Sequence, residues 1–131
     1  MLKHLERLVT LAGFRVIYKY QIDEEGSRGF IDVENKTLHI ATFKGEQSEH
    51  ISRIMNFLAH EYWHAVQWNG GQFRAYIENP GAETLESALE CEDQACDFAE
   101  LYVQKRFKKH EIVPFYYDYK SLKALYSGGL R

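Results

Sequence analysis

From Glu49 to Trp68 the chain has neither proline nor glycine, and its apolar residues recur at helical spacing. Such a segment folds as a helix with one buried stripe, so the rest of the chain has to supply what covers that stripe. Inside it stands His60-Glu61-Tyr62-Trp63-His64. Residues four apart on a helix lie one turn above each other, so His60 and His64 can direct two imidazole nitrogens at one point. A tetrahedral zinc ion requires this of its first two ligands. Glu61 projects about 100° round from His60, near enough to reach a metal-bound water without binding the metal itself. The alternative is a solvated helix face with two surface histidines.

On a helical wheel with Ile54 as reference, Ile51, Leu58, Tyr62 and Ala65 fall within about 80° to one side. Glu61 and Trp68 fall just to the other side, with His64 and then His60 beyond them. This predicts histidines at the border between core and solvent, and Trp63 pointing away from the core. Ser48 fits as the N-cap, and Asn69-Gly70-Gly71 as the end of the helix. Gln72 to Ala82 reads as a loop, marked by Asn79-Pro80-Gly81.

A second long helix is predicted from about Thr84 to Lys108. Its first half is acidic, with Glu86, Glu90, Glu92, Asp93 and Asp97, and its end carries Lys105, Arg106 and Lys108. That order complements the helix dipole and suits a solvated surface. Glu92 does not fit that surface. With Leu85 as reference, Ala88, Leu89, Ala95, Cys96, Ala99, Val103 and Phe107 gather within about 80° on either side, and Glu92 lies about 20° from the middle. A lone carboxylate on a core-facing stripe costs several kcal/mol unless something pairs with it. A zinc ion held by two imidazoles would be such a partner; a basic residue from another element is the alternative.

The N-terminal part is shorter in period. Leu2 to Ala12 is an amphipathic helix stopped near Gly13. Phe14 to Ile22, Phe30 to Val33 and Thr37 to Ala41 read as strands, rich in β-branched and aromatic residues and separated by polar turns. The expected fold class is α+β: an N-terminal helix, a small three-stranded antiparallel sheet, and a two-helix core carrying the candidate ligands. The 131 residues suit one domain, with residues 1–109 as its core and 110–131 as a short C-terminal tail.

A net charge of −3 gives no reason to expect nucleic acid or an anionic membrane as partner. No apolar run is long enough to span a bilayer, and the N-terminus has no signal-peptide core. Cys91 and Cys96, five apart on one helix, are poorly placed for a disulfide and form no C-x-x-C pair. A reducing cytoplasm is the expected location.

The two helical motifs together resemble the ImmA/IrrE group of small zinc peptidases, within the gluzincin-like clan. The resemblance rests on His60-Glu61-x-x-His64, followed 28 residues after His64 by Glu92-x-x-Ala95-x-x-Phe98-Ala99. It extends to the order of helix, three strands, helix and helix over about residues 1 to 105. It implies that Glu92 is the third zinc ligand after His60 and His64. It also implies a zinc peptidase in which zinc acidifies a bound water and Glu61 serves as the general base. The implied partner is a protein or peptide substrate, with a regulatory protein as one class of target. His110, Tyr116, Tyr117 and Tyr119 are the candidates for steadying an oxyanion, although simple packing is the commoner role of such a tyrosine-rich stretch, and the strand Thr37 to Ala41 is the candidate for pairing with an extended peptide. His39 is read as a strand residue, and His4 and His50 as surface residues. The alternative function is a catalytically silent zinc-binding module that docks on another protein.

Overall fold

A computed structural model describes residues 2–43, 48–72 and 85–112, with the side chains of 48–50 and 85 outside that description. The first helix, α1 (Lys3–Leu11), buries Leu5 and Val9. It ends where Gly13 takes φ +85, the left-handed conformation that costs glycine nothing. There the Gly13 N–H donates to the Thr10 carbonyl and the Phe14 N–H to that of Val9, which closes the helix end.

Three strands follow: β1 (Arg15–Lys19), β2 (Gly29–Asp32) and β3 (Thr37–Ala41). Their order in the sheet is β1-β3-β2. β2 and β3 form an antiparallel hairpin, with Asp32 opposite Thr37 and Gly29 opposite Ile40. The Asp32 carboxylate braces the turn by accepting from the Asn35 N–H at 3.1 Å and the Asn35 side-chain amide at 2.8 Å. β1 lies on the other edge of β3 and runs parallel to it, Arg15 opposite Thr37 and Lys19 opposite Ala41.

The sheet is therefore mixed, where the sequence predicts an all-antiparallel one. Burial supplies the reason. Thr37, Leu38, Ile40 and Ala41 are all buried, while β1 and β2 keep exposed positions. The most deeply buried strand takes the centre, where both its edges are paired. This also corrects the expectation that Thr37 to Ala41 could capture a peptide by edge pairing: both edges of β3 are already used by its neighbours.

The helix α2 (Ser48–Asn69) is the centre of the molecule, packed against α1, β2 and β3 and against α3 (Leu85–Gln104). The side chain of Ser48, expected as an N-cap, lies outside the described residues. The buried stripe of α2 contains Ile54, Met55, Phe57, Leu58, Ala59, Ala65 and Trp68. Its end is as expected. Gly71 takes φ +85, its N–H donates to the Trp68 carbonyl, and the Gln72 N–H reaches back to that of Gln67.

α3 stops about a turn short of the predicted Lys108. Phe107 is drawn into the core at 7% exposure and Lys108 is extended at ψ 152, so the helical path cannot continue. A 3-10 turn over Lys109–Glu111 follows, with the Glu111 carboxylate accepting from the Lys108 N–H. The predicted loop beyond Gln72 and the tail beyond Ile112 lie outside the described residues.

Candidate metal centre

Two of the expected ligands come from α2 and the third from α3, and the structure brings all three together. His60 Nε2 lies 3.0 Å from one Glu92 oxygen and His64 Nε2 lies 3.0 Å from the other. The two Nε2 atoms are 3.1 Å apart. His60 is 4% exposed, His64 2% and Glu92 4%. Each offers one ligand atom, and these atoms all fall within 4.8 Å of one another, so the group could hold a metal ion.

The histidines are more deeply buried than the wheel predicts. The wheel treats α2 alone, whereas α3 lies across the border positions and closes them off. Glu92 is where the apolar stripe of α3 placed it, facing α2 among the buried Ala88, Ala95 and Ala99. Among the described residues no lysine or arginine pairs with it; its ion pairs are with the two histidines. The other acids of the helix, Glu86, Glu90, Asp93, Asp97 and Glu100, are exposed.

Electrostatics at this point are strongly coupled. Burial alone would push the Glu92 carboxyl up, but hydrogen bonds and charge from His60 and His64 outweigh it and hold the group down to about 2. Burial alone would push His64 down; contact with Glu92, with help from Glu61 and Gln67, raises it instead. Both shifts describe a carboxylate beside a cation.

The outer nitrogens of both rings are engaged. His64 Nδ1 is 2.8 Å from Gln67 Oε1, and His60 Nδ1 is 3.7 Å from Cys96 Sγ. With protons on Nδ1, the two Nε2 lone pairs and the Glu92 oxygens converge. Ligand atoms set about 2.0–2.1 Å from a tetrahedral ion stand roughly 3.3 Å apart, close to the spacing found here. The donor set of two imidazoles and a carboxylate suits zinc.

Glu61 stands beside this triad. Its Oε2 is 4.0 Å from His60 Nε2, and the residue is 8% exposed. Burial pushes its carboxyl up; His60 and His64 oppose this, and the nearby Glu92 adds to it. The side chain lies against Gly29 of β2.

Trp63 is half-buried and outside the apolar core, as expected; it stacks on Phe98 of α3 with centroids 4.7 Å apart, and its indole nitrogen is buried without a hydrogen-bond partner among the described residues. Tyr62 also leans on Phe98. His39 is a half-buried strand residue beside Phe30, as expected. His4 is exposed but bonded, its Nδ1 2.6 Å from the Tyr102 hydroxyl. His110 is exposed on the 3-10 turn. The His50 side chain and Tyr116, Tyr117 and Tyr119 lie outside the described residues.

Three contributors were missed by sequence reasoning. Gln67 stands three residues after His64, and Cys96 four residues after Glu92, both spacings that place them on the ligands' own helix face. Gly29 gave no signal, because its role comes from an approach between elements far apart in the chain.

No family model, no curated protein and no solved structure matches this chain. Among the described residues no helix is long and apolar enough to cross a membrane.

Proposed function

We propose that the chain is a zinc-dependent peptidase, with His60, His64 and Glu92 as the metal ligands and Glu61 as the general base. The observation that carries this reading is the meeting of one Glu92 oxygen with each imidazole at 3.0 Å, with Glu61 alongside. The likeness of both motifs to those of the ImmA/IrrE-type peptidases supports it. The ligand set leaves a coordination position for water or substrate. A bound zinc ion would supply Lewis acidity to water and to the scissile carbonyl. Glu61 takes the proton from the attacking water and passes it to the leaving amine. Its raised carboxyl, a consequence of burial, suits a group that must accept and then return a proton. The substrate is a protein or peptide. Cys91 and Cys96 are free thiols, which fits a reducing compartment such as the cytoplasm.

The burial of His60, His64 and Glu92 favours a second reading, a silent zinc-binding module that acts by docking on another protein. The fourth coordination position separates the two, since an open, watered position serves catalysis and a protein ligand there serves structure. The test is zinc content by elemental analysis together with cleavage of a panel of protein substrates by wild type and Glu61→Gln. The peptidase reading expects stoichiometric zinc in both proteins and hydrolysis only in wild type. Undiminished turnover in Glu61→Gln removes Glu61 from the base role, and zinc without any cleavage favours the silent module.

A further inference from the structure

Gln67 follows His64 by three residues on α2 and is 2% exposed. A buried primary amide carries donors on nitrogen and an acceptor on oxygen, and each has to face the right kind of partner. Gln67 Nε2 donates to the Cys91 backbone carbonyl at 2.9 Å and to Gln94 Oε1 at 3.2 Å. A carbonyl only accepts. Turning the amide over would set Gln67 Oε1 against the Cys91 oxygen, two lone pairs in a buried setting. The amide is therefore fixed from the α3 side, and Oε1 is left facing His64 Nδ1 at 2.8 Å. An oxygen there requires a proton on that nitrogen.

We infer that Gln67 is a positioning residue that sets the tautomer of His64. It holds the ring proton on Nδ1 and so presents the Nε2 lone pair to the triad. A metal-ligating histidine needs this from its outer partner, which fixes both the tautomer and the ring orientation. The orienting force originates on α3: the Cys91 carbonyl and the Gln94 side chain aim Gln67, and Gln67 aims His64. Docking of α3 thus delivers the Glu92 carboxylate and also prepares the histidine opposite it. The inference rests on the metal reading given under Proposed function.

The test titrates Zn2+ alone, against a competing chelator, into wild type, Gln67→Met and Gln67→Glu, and records long-range proton–nitrogen spectra of the histidine rings. Methionine keeps the length of the side chain but offers His64 no oxygen; glutamate keeps the oxygen, and its second oxygen, buried against the Cys91 carbonyl, takes a proton and donates there as the amide nitrogen does. The expected result is a loss of about 10- to 100-fold in zinc affinity for Gln67→Met, with most of the affinity kept in Gln67→Glu. In the zinc-loaded wild type, His64 should show a protonated Nδ1 and a ligated Nε2. Ligation through Nδ1, or equal losses in the two variants, overturns the inference. A wild type that takes up no zinc counts against the metal reading itself. The tautomer is then read from the zinc-free protein at alkaline pH, where a proton on Nε2 of His64 overturns the inference and a proton on Nδ1 upholds it.

Discussion

Gly29 and Glu61 meet so closely that a Cβ at position 29 would stand 2.8 Å from Glu61 Cγ and 3.0 Å from its Oε2. Real Cβ contacts are not that short, and Cγ is not a free tip that can swing aside. Gly29→Ala therefore displaces the carboxylate while leaving His60, His64 and Glu92 in place. A misplacement of about 1 Å at a reacting group can lower turnover by roughly 100-fold. On the peptidase reading proposed above, we expect a loss of that order in kcat with unchanged zinc content, checked by steady-state kinetics beside elemental analysis. Wild-type kcat in this variant would show that the contact does not position Glu61.

Glu92 and Glu90 are neighbours of the same chemistry with different surroundings. Glu92 is buried between the histidines, and Glu90 is exposed. Glu92→Ala should lose most of its zinc on dialysis against a weak chelator, whereas Glu90→Ala should keep the wild-type content. Equal zinc in both variants would remove Glu92 from the ligand set.

The pH response of the metal-free protein follows from the coupled charges. The folded pKa of Glu92 is depressed to about 2, so its contribution is present above about 4.5 and lost as pH falls through about 2. His64 is raised, so its contribution is complete below about 6.5 and lost as pH rises through its folded value. Burial raises Glu61, so its contribution favours low pH and is lost as pH rises above about 4.5. Metal-free protein should thus be most stable on the acidic side of neutrality. Zinc requires deprotonated imidazoles and binds better as pH rises. The gap in Tm between zinc-loaded and chelator-treated samples should therefore widen from about pH 6 to about pH 8. Thermal melts across that range check it; a gap that is flat or shrinking would argue against histidine ligation.

Leu58 and Leu101 separate core from surface. Leu58 is fully buried on α2, and Leu101 on α3 is 56% exposed. Leu58→Ala should destabilise by about 2–5 kcal/mol, and Leu101→Ala by no more than about 0.5 kcal/mol, as read from urea denaturation midpoints.

The helices were legible because their signals are local. Gly13 and Gly71 end α1 and α2 at the predicted places, each in the left-handed conformation that glycine favours. Glu92 was legible because one carboxylate in an apolar stripe conflicts with its surroundings, and the structure resolves the conflict by pairing it with His60 and His64. The misreadings are failures of context. A wheel drawn for α2 alone cannot know that α3 covers His60 and His64. Strand order depends on which strand gains most from two paired edges, so β3 moved between its neighbours where simple succession would have kept β2 in the middle. Gly29 acquires its meaning only when β2 reaches Glu61, a relation between elements that no residue spacing records.

His60 and Glu92 are separated by 32 positions in the chain. Any cation they share becomes a removable cross-link between two helices that stand far apart in the sequence. Such a tether binds the native state and not the unfolded one, so the protein's resistance to unfolding would rise and fall with the free ion concentration around it.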